Sequence, residues 1–329
     1  MSDLKFRTVF VPEKFDFDIS YDSKMLFAGS CFTENIGRKL EELKFDVLVN
    51  PFGIVYNPVS LSESLGMICD KKKFTAEDLF FYNGYWHSFS HHGSFSGPDR
   101  QKTLDLINSE LKKAHDFLKD ADLLFLTFGS AWVYYSVDSK NIVANCHKLP
   151  GNNFIKELLA VKDIEISLNK TLEKIKKINK SIKIIFTVSP VRHLKDGFSE
   201  NFLSKSILRV AINNIMNNNG NIFYFPAYEL INDDLRDYRF YDKDMVHPSS
   251  VAEEYIFNFF EKSFFSEETR LIKKEAEKII SARNHRVFDS ENILTLKFAD
   301  AALKKIKDIT QKYPFLNFDE EVIYFKSFK

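Results

Sequence analysis

The sequence predicts an α/β protein built on a mostly parallel sheet with helices on both faces. Three observations predict it. Short, continuously apolar runs recur up to residue 226, amphipathic segments separate most of them, and Gly, Pro or Asn closes the runs at their carboxyl ends. A strand covered on both faces carries no alternation, so an unbroken apolar run of four to eight residues with a breaker behind it is its expected signature.

The elements follow in order. MLFAGS (25–30) reads as the first buried strand, and from Thr33 the apolar positions Ile36, Leu40 and Leu43 recur at helical spacing, with Thr33 or Ser30 as the cap. FDVLVN (45–50) is a short second strand running into NPFGIVYNP (50–58), whose prolines and glycine mark an ordered loop before a helix near Val59. Residues 80–98 are a loop or hairpin rich in aromatics, His and Gly, followed by a helix over 99–119. DLLFLTFG (122–129) is a buried strand, WVYYSV and NIVANC form a hairpin, and 152–180 read as helical. KIIFTVSP (183–190), a helix over 204–218 and the strand NIFYFP (221–226) complete the alternation, and a further helix runs from Pro248 to Phe260. Beyond residue 263 the character changes to long charged helices (EETRLIKKEAEKIISARNH, KFADAALKKIKDITQKYPF). The expected organisation is therefore an α/β domain over 1–262 and a helical extension over 263–329, packed on the first domain or on a second copy as a homo-oligomer contact.

Composition narrows the partners. Lys plus Arg and Asp plus Glu both total 46, a balance that argues against nucleic acid or an anionic membrane as the main partner. The 34 Phe residues read as core packing rather than a stacking surface for bases. Three scattered cysteines (Cys31, Cys69, Cys146) make neither a disulfide framework nor a Cys-based zinc site, and MSDLKFRTVF lacks the apolar stretch of a signal peptide. A reduced, cytoplasmic protein is expected. His87, His91 and His92 lie close together, but no Asp or Glu follows until Asp99, so that segment is read as a substrate-contacting loop and not a metal centre. No cofactor is expected.

Chemistry is expected where strands end, because ligands of open α/β sheets bind at the carboxyl edge. Gly29-Ser30-Cys31 places two nucleophiles at a strand-to-helix turn, where first-turn N–H groups can hold an oxyanion and lower a thiol pKa. Asp244-x-x-His247, just before Pro248, pairs an imidazole with a carboxylate that can orient it and stabilise its charged form. Arg192-His193 at the end of the fourth long strand suits an anionic or sugar substrate. Cys146-His147 brings either a second histidine to the site or only a hairpin end, and Arg236 and Arg239 either clamp a carboxylate or, the favoured reading, pair with Asp233, Asp234 and Asp237.

Taken together, the words GSCF, NPFGIVYNP, LTFGSAW, NCHKLP, SPVRH and RDYRFYDKDMVHPS occur in an order that resembles the GSCFA-domain proteins, over about residues 5–262. Those proteins are similar to the wider SGNH/GDSL hydrolase group. The resemblance implies a flavodoxin-like three-layer sheet fold and an ester-cleaving or acyl-transferring site acting on a small-molecule or saccharide ester, such as an O-acetyl ester. It implies Ser30 or Cys31 as nucleophile, His247 as base and Asp244 as its orienter, with Gly53 as the oxyanion glycine after the second strand. Gly-Asp-Ser register favours Cys31, whereas family chemistry favours Ser30. Gly129-Ser130-Ala131 departs from the pattern, with Ala131 where an oxyanion Asn is expected, so Asn145 or Asn57 is the expected substitute amide. The alternative is a binding domain that keeps the fold without the catalysis.

Overall fold

The computed structural model describes residues 8–285 and 292–328. Five strands form the central sheet: β1 (Lys24–Gly29), β2 (Asp46–Val49), β5 (Leu123–Phe128), β9 (Lys183–Val188) and β10 (Ile222–Tyr224), in the order β10-β9-β5-β1-β2. This is the doubly wound order of flavodoxin-like sheets, and the β1–β5, β5–β9 and β9–β10 pairings all run parallel. Two small antiparallel additions sit outside it, the hairpin β3 (Phe80–Tyr82) with β4 (Tyr85–His87), and β6 (Trp132–Ser136) between β7 (Ile142–Val143) and β8 (Phe154–Leu158).

Alternate residues of the parallel strands bury on opposite faces, which is why the runs read as continuously apolar. Leu26, Ala28, Leu124, Leu126, Ile184 and Phe186 enter one core with Leu61 and Leu65 of α2 (Pro58–Cys69), Ile107 and Leu111 of α3 (Arg100–Asp120), Leu168 and Leu172 of α4 (Val161–Ile178), and Leu208 and Ile212 of α5 (Phe198–Asn217). Met25, Phe27, Phe125 and Ile185 are buried on the other face, where the Phe27 and Phe125 rings stack at 4.5 Å. α1 (Cys31–Glu42) joins β1 to β2.

Two local readings change. Residues 154–158 form a strand, not the start of a helix: their burial alternates, and they pair antiparallel with β6 from Trp132–Leu158 to Ser136–Phe154. Helix α6 (Ser250–Phe264) starts two residues after Pro248, because Pro248 is held in a bridge to Tyr241.

By contact density the chain divides into two units. The first, among the described residues 8–11, 25–37 and 48–257, contains most of the sheet. The second comprises, among the described residues, 12–24, 38–47, 258–285 and 292–328, including α7 (Glu267–Asn284), α8 (Ile293–Lys312) and α9 (Asp319–Lys326). Within it Tyr21 stacks on Phe45 at 4.1 Å and donates to the Leu43 carbonyl, and Phe45 packs on Phe265. Glu321, buried, is paired with Lys44 at 2.9 Å and Arg283 at 3.3 Å. Among the described residues no helix is long and apolar enough to cross a membrane.

Candidate active site

Strand register aligns Gly29 with Thr127, and Thr127 with Thr187, so the turns after β1, β5 and β9 open on one sheet edge. Gly29 has φ +145°, and a Cβ there would collide with the Thr127 carbonyl, so only glycine ends β1 this way. Helix α1 then begins at Cys31. Its first intrahelical bond runs from the Glu34 N–H to the Ser30 carbonyl, which leaves the N–H groups of Cys31, Phe32 and Thr33 without helical acceptors.

The two candidate nucleophiles differ in access. Ser30 Oγ is buried with no hydrogen-bond partner, whereas Cys31, at the head of the helix, is only half-buried. Burial pushes the Cys31 thiol up, the thiol's own backbone amide opposes this in part, and Glu34 adds to the rise. The thiol pKa thus lies above its ordinary value and not below it as the helix terminus predicts, burial being the largest cause. A thiol of this kind needs a base.

The candidate base is His247, on the loop that follows residue 241. His247 Nδ1 donates to Asp244 Oδ2 at 2.6 Å, while Asp244 Oδ1 accepts the backbone N–H groups of Val246 and His247. The ring bond first, then the two backbone bonds, hold the Asp244 carboxyl down at about 2. With Nδ1 carrying its proton toward Asp244, Nε2 is the basic nitrogen. The loop is fastened from β9: the Arg192 N–H donates to the Val246 carbonyl at 3.0 Å and its guanidinium to the Met245 carbonyl at 3.3 Å.

The N–H groups of Gly53, the expected oxyanion glycine, and of Gly129 are engaged. The Gly53 N–H donates to the Asn50 carbonyl and the Gly129 N–H to the Tyr56 carbonyl, both at 2.7 Å. Gly53 itself is required by φ +72° and by His92, whose Cβ a side chain would strike. Ala131 is fully buried and gives its N–H to Ser204 Oγ. Asn57 is consumed as the cap of α2, its amide bonded to Ser60 through both atoms, and Asn145 Oδ1 accepts the His147 N–H.

Sequence reasoning missed Asn50. Its Oδ1 accepts the Gly29 N–H at 2.8 Å, which fixes the amide's orientation, and its Nδ2 is buried without a partner. A buried, unsatisfied N–H beside the β1–α1 turn is the kind of donor the missing amide would supply. A signal existed: Asn50 ends the second strand, where φ is +46°, a conformation Asn tolerates better than most residues.

Lys205 was also missed. Its ammonium is buried, donates to the Gly129 carbonyl at 2.6 Å and the Ser189 carbonyl at 2.7 Å, and is pulled down to about 7 by burial. It sits on the apolar stripe of α5 with Leu208, Ile212 and Ile215, where a lysine should have stood out. His193 faces the same loop. Its Nε2 is buried and unpartnered, 3.0 Å from where a Gly129 Cβ would be, and burial, with Lys205 and His247 adding, holds the ring down at about 3.

The remaining predicted residues lie elsewhere or serve the fold. His147 Nε2 bonds the Ser88 carbonyl and its ring packs on His87, Phe80 and Phe89, so its contacts are with the 80–98 segment and not with the β1–α1 turn. His91, expected in a substrate-contacting loop, is instead fully buried, stacked on Phe52 at 4.3 Å. Of the two arginines expected to pair locally, Arg239 binds Asp237 at 3.1 Å, but Arg236 makes no ion pair among the described residues. Those residues contain no group of three His, Cys, Asp or Glu able to hold a metal ion.

The fold and this edge define an α/β protein with a thiol at a helix head and an Asp-backed imidazole on the neighbouring loop. The chain belongs to the GSCFA family, whose model matches residues 24–260, and the C-terminal domain of GSCFA domain proteins matches residues 276–328. No curated protein matches it in sequence. Among solved structures it is similar to a carbohydrate esterase family 3 protein from Talaromyces cellulolyticus, at 8% identity and TM-score 0.35, covering 79% of this chain and 98% of that one. It is also similar to an acetyl xylan esterase from the rumen bacterium Butyrivibrio proteoclasticus, at 10% identity and TM-score 0.28, covering 63% and 56% respectively.

Proposed function

We propose that the chain cleaves or transfers an ester-linked acyl group, with acetyl esters of small molecules or saccharides as the substrate class. The observation that carries the reading is the Asp244–His247 pair, tied through Arg192 to the sheet edge where Cys31 heads α1. Cys31 is the nucleophile in this reading, because Ser30 Oγ is sealed from solvent. His247 Nε2 takes the thiol proton as sulfur attacks the acyl carbonyl. The carbonyl oxygen becomes an oxyanion, held by the first N–H groups of α1 and by Asn50 Nδ2. Collapse expels the alcohol, which leaves with the proton from His247, and water or a second alcohol then releases the acyl group from the thioester. The three free thiols fit work in a reducing cytoplasm.

The test is covalent trapping. Incubation with 4-nitrophenyl acetate, acid quench and peptide mass spectrometry should place an acetyl group on Cys31, and the adduct should disappear in His247→Ala. An adduct on Ser30 reassigns the nucleophile. A folded protein with no adduct on either residue leaves the binding-domain reading, which the engaged N–H groups of Gly53 and Gly129 favour.

A further inference from the structure

A cavity of about 170 Å³ opens beside the Asp244–His247 loop, lined by Arg192, Ile231, Asn232, Arg236, Asp237, Tyr238 and Tyr241. We propose that it is a subsite for an anionic substituent, a carboxylate or a phosphate, on the alcohol part of the substrate. The inference rests on the ester reading above and names the substrate class more closely.

The cavity's cations are uncommitted. The Arg192 guanidinium lies over the rings of Phe198, Tyr241 and Tyr238 at 5.0, 5.1 and 5.5 Å, and one N–H reaches the Met245 carbonyl. Three rings and a carbonyl fix its plane without neutralising it, and a guanidinium has five N–H donors to place. Arg236 sits at φ +51°, fastened through its backbone N–H to the Ile231 carbonyl, and has no carboxylate partner among the described residues. The one acid in the lining, Asp237, is held by Arg239 through both the guanidinium and the backbone N–H. The nearby Asp234 is buried on the Tyr255 hydroxyl.

Two unpaired guanidiniums facing one small hollow match the geometry of a carboxylate or phosphate, which arginine binds through paired N–H donors. Tyr238 and Tyr241 offer ring faces to the sugar or other ring bearing that group. A volume of about 170 Å³ is below the roughly 300 Å³ at which whole-ligand pockets begin, so one substituent is held here and not the whole substrate. Arg192 also anchors Val246 and Met245, so an occupant lies against the loop that carries His247.

Equilibrium binding separates this inference from the ester reading, because it needs no turnover. D-glucuronate, glucose 6-phosphate and glucose are titrated into the full-length protein by calorimetry, beside 4-nitrophenyl acetate turnover. Glucuronate or the sugar phosphate should bind in a salt-sensitive manner, and glucose should not. Arg236→Gln should weaken that binding by about tenfold or more, with Arg236→Lys recovering part of it and 4-nitrophenyl acetate turnover unchanged in both. Preference for one anion identifies the group. Equal binding of glucose, no binding of any probe, or binding unaffected by Arg236→Gln overturns the subsite. Anion binding without turnover keeps the subsite and removes the ester chemistry.

Discussion

Two buried charges, one in each unit, are handled in opposite ways. Glu321 of the helical unit is 1% exposed and meets both Lys44 and Arg283. Lys205 of the sheet unit is 3% exposed and meets two carbonyl oxygens and, among the described residues, no carboxylate. The first charge is compensated by two cations on its Oε1, although Oε2 is buried without a hydrogen-bond partner. The second leaves a cation in the interior at the point where the loops after β5 and β9 join, a cost a purely structural position would shed. Local conflicts of this kind collect where a protein works, which supports placing the proposed chemistry in the sheet unit.

Substitutions should therefore separate activity from stability, and the largest effect belongs to the sheet edge. His247→Ala should lower acyl-transfer kcat by about three orders of magnitude or more while leaving the melting temperature in place, since the side chain is about half exposed. A stopped or unchanged rate with 4-nitrophenyl acetate decides it. Asn50→Gly keeps the positive φ and removes the amide. A loss of about a hundred- to a thousandfold in kcat, with KM little changed, is expected. A lowered melting temperature with kcat unchanged would make Asn50 a structural clip on Gly29 only.

In the helical unit the pattern should reverse. Glu321→Gln should cost about 3 kcal/mol in urea denaturation, at the low end of buried pairs because Arg283 is partly solvated, with kcat unaffected. Lost activity there would break the comparison.

The smaller effects are read in pH. Burial holds Lys205 at about 7, below its ordinary value near 10. Between those values the unfolded chain binds the extra proton, so stability contributed by this group rises with pH from about 7 to about 10. Lys205→Met should flatten that slope. His91 and His193 at about 3 and His147 at about 4, depressed mainly by burial, act at the acid end. Each is neutral when folded and protonated when unfolded below about 6.5, so stability is lost as pH falls from there toward 4. His91→Phe, which keeps the stacking on Phe52, should reduce the acid slope, and an unchanged slope would show that the ring titrates in place.

Much of this was legible in the sequence, for reasons that can be named. The strands of the sheet announced themselves because both faces are covered, and Asp244 with His247 because their pairing is local. Residues 154–158 were misread because a short alternating run in front of a genuine helix carries too few positions to fix its period. Asn50 and Lys205 were missed because their roles depend on Gly29, Gly129 and Ser189, partners 16 to 76 residues away that only the fold brings near. The second unit's use of 12–24 and 38–47 was hidden for the same reason.

The fastening of Val246 to Arg192 has a consequence for divergence. The wall of the proposed anion cavity, residues 231–241, lies just before His247 in the chain, and the His247 loop is fastened both to Arg192 after β9 and, through the Tyr241–Pro248 bridge, to the end of that wall. Side-chain changes over 231–239 therefore leave both fastenings of the His247 loop in place. One reaction can be inherited intact while the molecules it is applied to drift from one descendant to the next.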